Sequence, residues 1–230
     1  MNLFWDEEAP FIRVFRGHHF IYIIGMLLIF LWIVRNQQII KEKREAIRRI
    51  LLIIAVGQQV LLYSWYLLET GFDISESLPL HISRISSILG IVYLLTARKR
   101  VMDVLFYFGL FAYGSFLYPQ RIYTFYHVMG VSYFINHALT ILLPIFAFIS
   151  YHWRPTKQAL YEAYGWFVIY FFFVYFLNPF IDGNYFYLKY RPVFSDWPDF
   201  VYVPGALIFT YILFWIGYHT FYWVQKKFFK

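Results

Sequence analysis

Seven mainly apolar segments, separated by short polar connectors, follow one another along the 230-residue chain. Each approaches the roughly 20 residues that an α-helix needs to cross the hydrocarbon layer of a bilayer. Backbone groups in lipid must be satisfied within the segment, and these runs are far too long for barrel strands. The pattern predicts an all-α, polytopic integral membrane protein with seven transmembrane helices, at about residues 20–34, 50–68, 80–96, 101–117, 123–150, 160–180 and 200–224.

The composition agrees with this fold class. Hydrophobic residues make up 61% of the chain and charged residues only 14%, whereas a soluble domain has about 25% charged residues. The N-terminal stretch MNLFWDEEAPFIRVFRGHH lacks a basic region followed by a small-residue cleavage site, so the first segment is expected to remain a transmembrane helix. Because no linker or repeat divides the chain, we expect one membrane domain over residues 1–230.

Basic residues are distributed unequally between the two sets of connectors. Of the 20 lysines and arginines, 14 follow the first, third, fifth and seventh segments, five lie in the alternate connectors, and the last is Arg84. Positive charge accumulates on the cytoplasmic side of membrane proteins. The distribution therefore predicts an N-terminus outside and a C-terminus in the cytoplasm, with the protein in a cell membrane.

Several classes of site and partner are excluded or disfavoured by the residue content. The chain has no cysteine, which excludes disulfides, thiolate metal sites and a cysteine nucleophile. The pair His18 and His19 is weak evidence for a metal, so no metal or cofactor is expected. Because the basic residues follow membrane topology, the expected partners are membrane lipids and not nucleic acid. The sequence leaves protein partners undetermined.

The third segment begins with SLPLHISRISSILG, which places polar side chains in an apolar run. Charged groups at membrane depth are costly, usually face the bundle interior and often mark functional positions. At 100° per residue, the polar side chains cover a broad face and leave a narrow apolar stripe. The pattern predicts a helix enclosed by other helices, with Pro79 in its first turn and with a polar face of His81, Ser83, Arg84, Ser86 and Ser87.

Polar residues of other segments are predicted at the same outer end. The fifth segment carries Ser132, Asn136 and Thr140 at intervals of four residues, and Tyr133 with His137 as a neighbouring pair. The second segment and the connector after the sixth add Glu69, Asn178, Asp182, Asn184 and Tyr185. We expect these groups to converge in the outer half of the membrane, which makes this region the predicted site.

Each of these residues also has a structural interpretation. Serines on helices often bond to a backbone carbonyl one turn earlier, and a buried histidine is often a structural hydrogen-bonding group. An arginine at membrane depth needs a partner, for which the candidates are Glu69, Asp182 and a lipid phosphate. Two further expectations are structural: Asp103 pairs with the basic residues at 98–100, and Gln58 and Gln59 form hydrogen bonds between helices.

Four sequence elements resemble a known family: LPLHIS at the start of the third segment, NHALTILLPIF in the fifth, HWRPT after it, and NPFIDGNYFYL after the sixth. They are similar to the bacterial seven-helix YwaF-type membrane proteins, and these resemble the eukaryotic transmembrane protein 164 family. The resemblance extends from the third segment to the seventh. It places His81, Ser83, His137, Asn184 and, less directly, Asn136 on the family pattern, in a bacterial plasma membrane.

The eukaryotic relatives are acyltransferases that act on phospholipids through a cysteine near this histidine, and similar membrane enzymes hydrolyse lipid esters, so the resemblance implies acyl transfer or lipid ester hydrolysis at the outer leaflet. In bacterial members the cysteine is expected two residues after the LPLH histidine, where this chain has Ser83. Either Ser83 replaces that cysteine, or the activity is absent, or the family uses other chemistry. In an enzyme, His137 or His81 would activate Ser83, Arg84 would hold a lipid phosphate, and Asn136 or Asn184 would orient the base or stabilise the oxyanion. The alternative is a non-enzymatic carrier of lipids or small solutes, or a subunit of a cell-envelope membrane complex.

Overall fold

The computed structural model describes residues 3–229. In this part of the chain it contains α1 (Gly17–Arg35), α2 (Gln37–Glu42), α3 (Arg44–Leu68), α4 (Ile74–Ser77), α5 (Ile82–Thr96), α6 (Lys99–Leu117), α7 (Val128–Tyr151), α8 (Lys157–Ile181) and α9 (Asp199–Phe228), with a 3₁₀ turn at Tyr185–Tyr187. Residues 3–229 contain no β-strand beyond one isolated bridge between Phe11 and Tyr123. The all-α prediction is confirmed.

Six helices are long and apolar enough to cross a membrane: α1, α3, α6, α7, α8 and α9. The helix in the third predicted segment, α5, has 15 residues and a length of about 22 Å at 1.5 Å per residue. That is less than the roughly 30 Å of a bilayer's hydrocarbon layer. The structure thus supports a multi-pass membrane protein with six candidate spans and one shorter apolar helix.

The short length of α5 has a local cause. The prediction that Pro79 lies in the first turn of the helix is wrong, because α5 begins only at Ile82. The residue before a proline favours extended backbone, and Leu78 has φ −61° and ψ 151°. His81, the N-cap residue, is also extended, with φ −64° and ψ 137°. Residues 78–81 therefore form a non-helical turn before α5, in which the amide of Leu80 donates to the carbonyl of Leu78 (2.8 Å).

The centre of the bundle is formed by α6 and α7. Inside the molecule, 72% of the apolar stretch of α7 is buried and 56% of that of α6, compared with 17% for α1 and α9. Helix α6 packs against α5, α7, α8 and α9. Small side chains allow membrane helices to approach closely, and a Cβ at Gly109 would lie 2.8 Å from Thr140 Cγ2.

The N-terminal segment lies against the end of the bundle where α3 ends and α7 begins. Trp65 Nε1 donates to the carbonyl of Trp5 (2.7 Å), and Tyr123 Oη donates to the carbonyl of Glu7 (3.0 Å). The amide of Ile12 donates to the carbonyl of residue 122 (2.7 Å). These bonds satisfy backbone groups that would otherwise lie unpaired at the bundle end.

At the opposite end, one expected ion pair is not formed. The carboxylate of Asp103 accepts a hydrogen bond of 2.8 Å from Trp153 Nε1 and makes no ion pair with residues 98–100 among the described residues. Asp103 is buried, one turn inside α6, whereas the basic side chains are exposed. The indole N–H from the α7–α8 connector reaches the buried carboxylate instead.

The packing at Gly130 gives a test of the described fold. A Cβ at this position would lie 1.9 Å from the carbonyl oxygen of Thr124 and 2.6 Å from Tyr22 Oη. Because the nearest atom is backbone, Gly130→Ala should lower the free energy of unfolding by about 1–3 kcal/mol and lower the melting temperature in detergent. The control is Gly165→Ala, since no atom lies within 4 Å of its Cβ position. Equal melting temperatures of the two variants would contradict the packing.

Candidate functional site

A short loop connects α3 to α5 and contains the LPLH sequence. Asp73 caps α4 by accepting a hydrogen bond from the amide of Ser75 (2.9 Å) and another from its hydroxyl (2.7 Å). The bonds from Ser75 hold the pKa of this carboxyl below its usual range. Beyond α4, residues 78–81 lead into α5. The backbone is not helical here, so side chains supply donors to several carbonyls of the loop.

The side chain of Arg84 donates to two carbonyls of the segment between α3 and α5. Its guanidinium is buried and donates from Nη1 to the carbonyls of Glu76 and Leu78, the second at 2.9 Å, and from Nη2 to Tyr66 Oη. The guanidinium carbon also lies 4.7 Å from the centre of the Tyr66 ring. The predicted carboxylate partners are not used: Asp182 pairs with Lys189 at 2.5 Å. Arg84 thus links the loop to α3.

Two tyrosines complete the attachment of the loop. Tyr185 is fully buried; its hydroxyl donates to the carbonyl of Ile74 (2.7 Å) and accepts from the amide of Leu78 (3.0 Å). Burial raises the pKa of the Tyr185 phenol, so the hydroxyl keeps its proton at neutral pH. The hydroxyl of Tyr170 in α8 donates to the carbonyl of Leu80 (2.8 Å). The loop is therefore held by α3, α5, α8 and the α8–α9 connector.

Asparagines fix the connector that carries Tyr185. The side chain of Asn178 accepts from the amide of Tyr185 (3.0 Å) and donates to its carbonyl (2.9 Å). The side-chain oxygen of Asn184 accepts from the amides of Lys189 (3.0 Å) and Tyr190 (2.9 Å). Both side chains therefore shape the turn. The last predicted residue of this end, Glu69, is exposed and accepts one long bond of 3.4 Å from the amide of residue 7.

A second set of polar side chains joins α3, α5 and α7. Gln58 Nε2 donates to Ser132 Oγ (2.6 Å), and Gln59 Nε2 donates to Ser87 Oγ (2.7 Å). The hydroxyl of Ser87 donates to Gln58 Oε1 at 3.3 Å. The prediction that both glutamines form hydrogen bonds between helices is confirmed. Ser86 bonds to the carbonyl of residue 82 (2.8 Å), one turn earlier.

His137 has one engaged and one unengaged ring nitrogen. Its Nδ1 lies 2.8 Å from the carbonyl oxygen of Tyr133, and its ring packs on those of Tyr133 and Phe116. A carbonyl oxygen can only accept, so Nδ1 carries the proton and Nε2 of the neutral ring has a free lone pair. Within residues 3–229, Nε2 has no hydrogen-bond partner.

Three more groups in this region have no hydrogen-bond partner among residues 3–229. The side chains of His81 and Ser83 are half-buried, and neither forms a hydrogen bond there. The ring of His81 lies 4.9 Å from that of Tyr185, between centroids. Asn136 accepts a long bond of 3.4 Å from Thr140, but its amide nitrogen donates to no described residue. These groups remain available for other interactions.

The packing of α5, α6 and α7 sets the relative heights of these groups. Helices α6 and α7 are antiparallel, because Ser115 contacts Tyr133 and Gly109 contacts Thr140. Only two residues connect α5 to α6, so α5 is antiparallel to α6 and parallel to α7. A Cβ at Gly90 of α5 would lie 3.2 Å from Leu143 of α7. Ser83 precedes Gly90 by seven residues, and residue 136 precedes Leu143 by seven, which is about 10.5 Å along each helix. Ser83 and residue 136 therefore lie at about the same height.

The structure therefore divides the predicted residues into two groups. Ser83, Asn136 and His137 lie at one height with unengaged polar atoms, and His81 is near them in sequence but packs on the α8–α9 connector. Arg84, Asn184 and Tyr185 are engaged in holding backbone. The sequence analysis did not identify Tyr66 and Tyr170 as loop partners, because nothing distinguishes them among 22 tyrosines.

Both ring nitrogens of His19, in the histidine pair near the N-terminus, are engaged in hydrogen bonds. His19 Nδ1 accepts from the amide of Phe15 (2.8 Å), and Nε2 donates to the carbonyl of Phe116 (2.7 Å). Nε2 thus joins α1 to α6, and Nδ1 holds the segment that precedes α1. No group of three or more metal-binding side chains occurs in residues 3–229.

The hydroxyl of Tyr185 should measurably stabilise the loop. Tyr185→Phe removes the donor to Ile74 and the acceptor for Leu78 while keeping the ring, so we expect a loss of about 1–3 kcal/mol and faster proteolysis within residues 70–81. The control is Tyr118→Phe, because that tyrosine is exposed and its hydroxyl has no partner among the described residues. Melting temperatures in detergent and limited proteolysis provide the measurements; unchanged cleavage in Tyr185→Phe would contradict this role.

Comparison with known proteins gives one match. No curated protein and no solved structure matches the chain. The model of one protein family, the TMEM164 family, matches residues 14–221, which includes all the helices from α1 to α8 and most of α9. The matched range contains the LPLH loop, the polar residues of α7 and the connector with Tyr185. The chain is a multi-pass membrane protein that belongs to the TMEM164 family.

Proposed function

We propose that this protein modifies membrane lipids, by acyl transfer or ester hydrolysis, with Ser83 as the nucleophile. The observation that supports this most directly is the common height of three unengaged groups: the Ser83 hydroxyl, His137 Nε2 and the amide nitrogen of Asn136. The polar side chains around them are occupied by structural hydrogen bonds. These three groups have the chemistry of a nucleophile, a base and an oxyanion donor.

The proposed reaction starts with an ester-linked lipid at Ser83. As Ser83 Oγ attacks the ester carbonyl carbon, its proton passes to His137 Nε2, and the amide of Asn136 donates to the developing oxyanion. The lysolipid leaves through its oxygen and takes the proton from the imidazolium. Attack on the acyl-serine by water gives a fatty acid, and attack by a lipid hydroxyl gives a new ester; in both cases the ring accepts the attacking proton and returns it to Ser83.

The other predicted residues have proposed roles around this centre. His81 is the alternative base, since its ring nitrogens have no partner in residues 3–229. Glu69 and Asn184 remain proposed contacts of the lipid headgroup, whereas Tyr185, predicted as a third contact, is fully buried and acts by holding the loop. Arg84 holds the loop that leads to Ser83; a phosphate would reach its guanidinium after displacing one of the two loop carbonyls.

The nucleophile is tested with purified protein and a phospholipid carrying a labelled acyl chain. Ser83→Ala should reduce turnover at least about a thousandfold, because the covalent step is lost. Ser86→Ala is the matched control, since its hydroxyl lies one turn within the same helix and already bonds to the carbonyl of residue 82. Ser83→Cys should keep activity and become sensitive to thiol reagents, because the chain has no other cysteine.

The base is tested in the same assay. His137→Gln should reduce turnover strongly and steepen its dependence on pH above neutrality, because hydroxide must then replace the base. His219→Gln on the exposed face of α9 is the control. Turnover that is equal in wild type, Ser83→Ala and His137→Gln would eliminate this site. The alternative, a non-enzymatic carrier or a subunit of an envelope complex, predicts no turnover in any of these proteins.

We also propose that α5 crosses the membrane as a seventh span and that the seven spans form a single domain. The N-terminus lies outside and the C-terminus in the cytoplasm, in a bacterial protein of the YwaF type. Fourteen of 20 basic residues support this orientation, and α5 begins at the end of an anchored loop that extends its path.

Because the chain has no cysteine, single cysteines report this topology directly. Cysteines replacing Ser75 and Ser195 should react with a membrane-impermeant maleimide on intact cells, and cysteines replacing Lys43 and Lys99 should react only after lysis. Labelling of Ser75→Cys and Lys99→Cys from the same side would show that α5 does not span the membrane.

A further inference from the structure

A groove of about 300 Å³ lies between α7 and α9, and Ser83, Asn136 and His137 do not line it. Its floor is formed by Phe106, Leu110 and Tyr113 of α6. Pro144 and Phe148 belong to the wall that α7 provides, and α9 provides the opposite wall. The volume is at the lower end of the roughly 300–1,000 Å³ of small-molecule sites. The groove is independent of the proposed enzyme site.

The length of the groove matches one leaflet of a bilayer. Its lining on α9 runs from Leu213 to Gln225, a distance of about 18 Å at 1.5 Å per residue. Half of the hydrocarbon layer is about 15 Å thick. The groove thus extends from mid-membrane to the C-terminal end of α9, and its shape suits an extended acyl chain.

The end of the groove near the C-terminus of α9 carries a buried polar group, whereas the walls are mainly apolar. The side-chain oxygen of Gln225 is buried and has no hydrogen-bond partner among the described residues. A buried unpaired acceptor costs free energy comparable to a lost hydrogen bond. A ligand with a donor, such as a hydroxyl, would remove that cost.

Positive charges surround the same end. Lys226 and Lys227 follow Gln225 in the last turn of α9 and are exposed. From the α7 side, the guanidinium carbon of Arg154 lies 5.6 Å from the ring centre of Phe148, a residue of the groove wall. Cations at this position attract a phosphate at the membrane surface.

We propose that the groove binds one acyl chain of an anionic phospholipid with a hydroxyl-bearing headgroup. The chain lies along Leu110 and Pro144, the headgroup hydroxyl donates to Gln225 Oε1, and the phosphate lies near Lys226 and Lys227. In the proposed topology this lipid belongs to the cytoplasmic leaflet, opposite the leaflet of Ser83.

The test measures lipid binding by native mass spectrometry of the purified protein, with dioleoyl phosphatidylglycerol and dioleoyl phosphatidylcholine as probes. Wild type should bind one phosphatidylglycerol about tenfold more tightly than phosphatidylcholine. Thr220→Trp, which fills the groove, should abolish that preference. Ile212→Trp is the matched control, because Ile212 is exposed on the same helix and does not line the groove.

A second variant separates binding from folding. Gln225→Leu should weaken phosphatidylglycerol binding about fivefold to tenfold and leave the melting temperature without lipid unchanged or higher, since an unpaired buried acceptor is removed. Equal affinities of wild type for the two lipids, or unchanged binding in Thr220→Trp, would overturn the proposal. So would a wild-type dimer that Thr220→Trp dissociates, because a second copy would then occupy the groove.

Discussion

The need to satisfy backbone carbonyls away from water determines how the α3–α5 loop is built. In a membrane-embedded position, each unpaired backbone group costs several kcal/mol. Arg84 and Tyr185 meet this need by side-chain donation to carbonyls of residues 74, 76 and 78, and Tyr170 does the same for residue 80. A guanidinium with five donors in a fixed arrangement suits several carbonyl acceptors that have no helical N–H donor. The buried charge of Arg84 thus has a structural role, because it satisfies carbonyls at the end of α4 and before Pro79.

This arrangement separates two kinds of polar side chain that look alike in the sequence. Arg84 and Asn184 seemed suited to bind a ligand, yet the structure engages both with backbone. Ser83 and His137 are no more conspicuous in the chain, but they retain unengaged atoms within the described residues. The intrahelical bond from Nδ1 of His137 to the carbonyl of Tyr133 is decisive here, because it leaves the lone pair on Nε2.

The sequence predicted what depends on local pattern. Apolar runs located every long helix, and the position of Gln58 and Gln59 within one run predicted bonds between helices, as observed. Prediction from the sequence failed where a side chain's partner comes from a distant segment of the chain. Trp153, rather than neighbouring basic residues, satisfies Asp103, since only the fold shows which donor reaches a buried carboxylate. Pro79 suits either the first turn of a helix or a non-helical turn before it, and hydrogen bonds from tyrosines of α8 and the α8–α9 connector favour the second.

Helix α6 connects the loop, the proposed site and the groove through its packing. Its contact with α7 at Gly109 fixes the position of α7 along the axis of α6. The two-residue turn after α5 fixes the position of α5 along the same axis. The height of Ser83 relative to Asn136 therefore depends on α6, although α6 contributes no polar group to that set. On its other side, Leu110 packs so closely on Gly217 that a Cβ there would lie 2.3 Å from Leu110 Cδ1. Because α9 is held so close to α6, while α7 packs elsewhere on α6, a groove remains between α7 and α9. Tight packing at small residues thus accounts for both the alignment of α5 with α7 and the groove between α7 and α9.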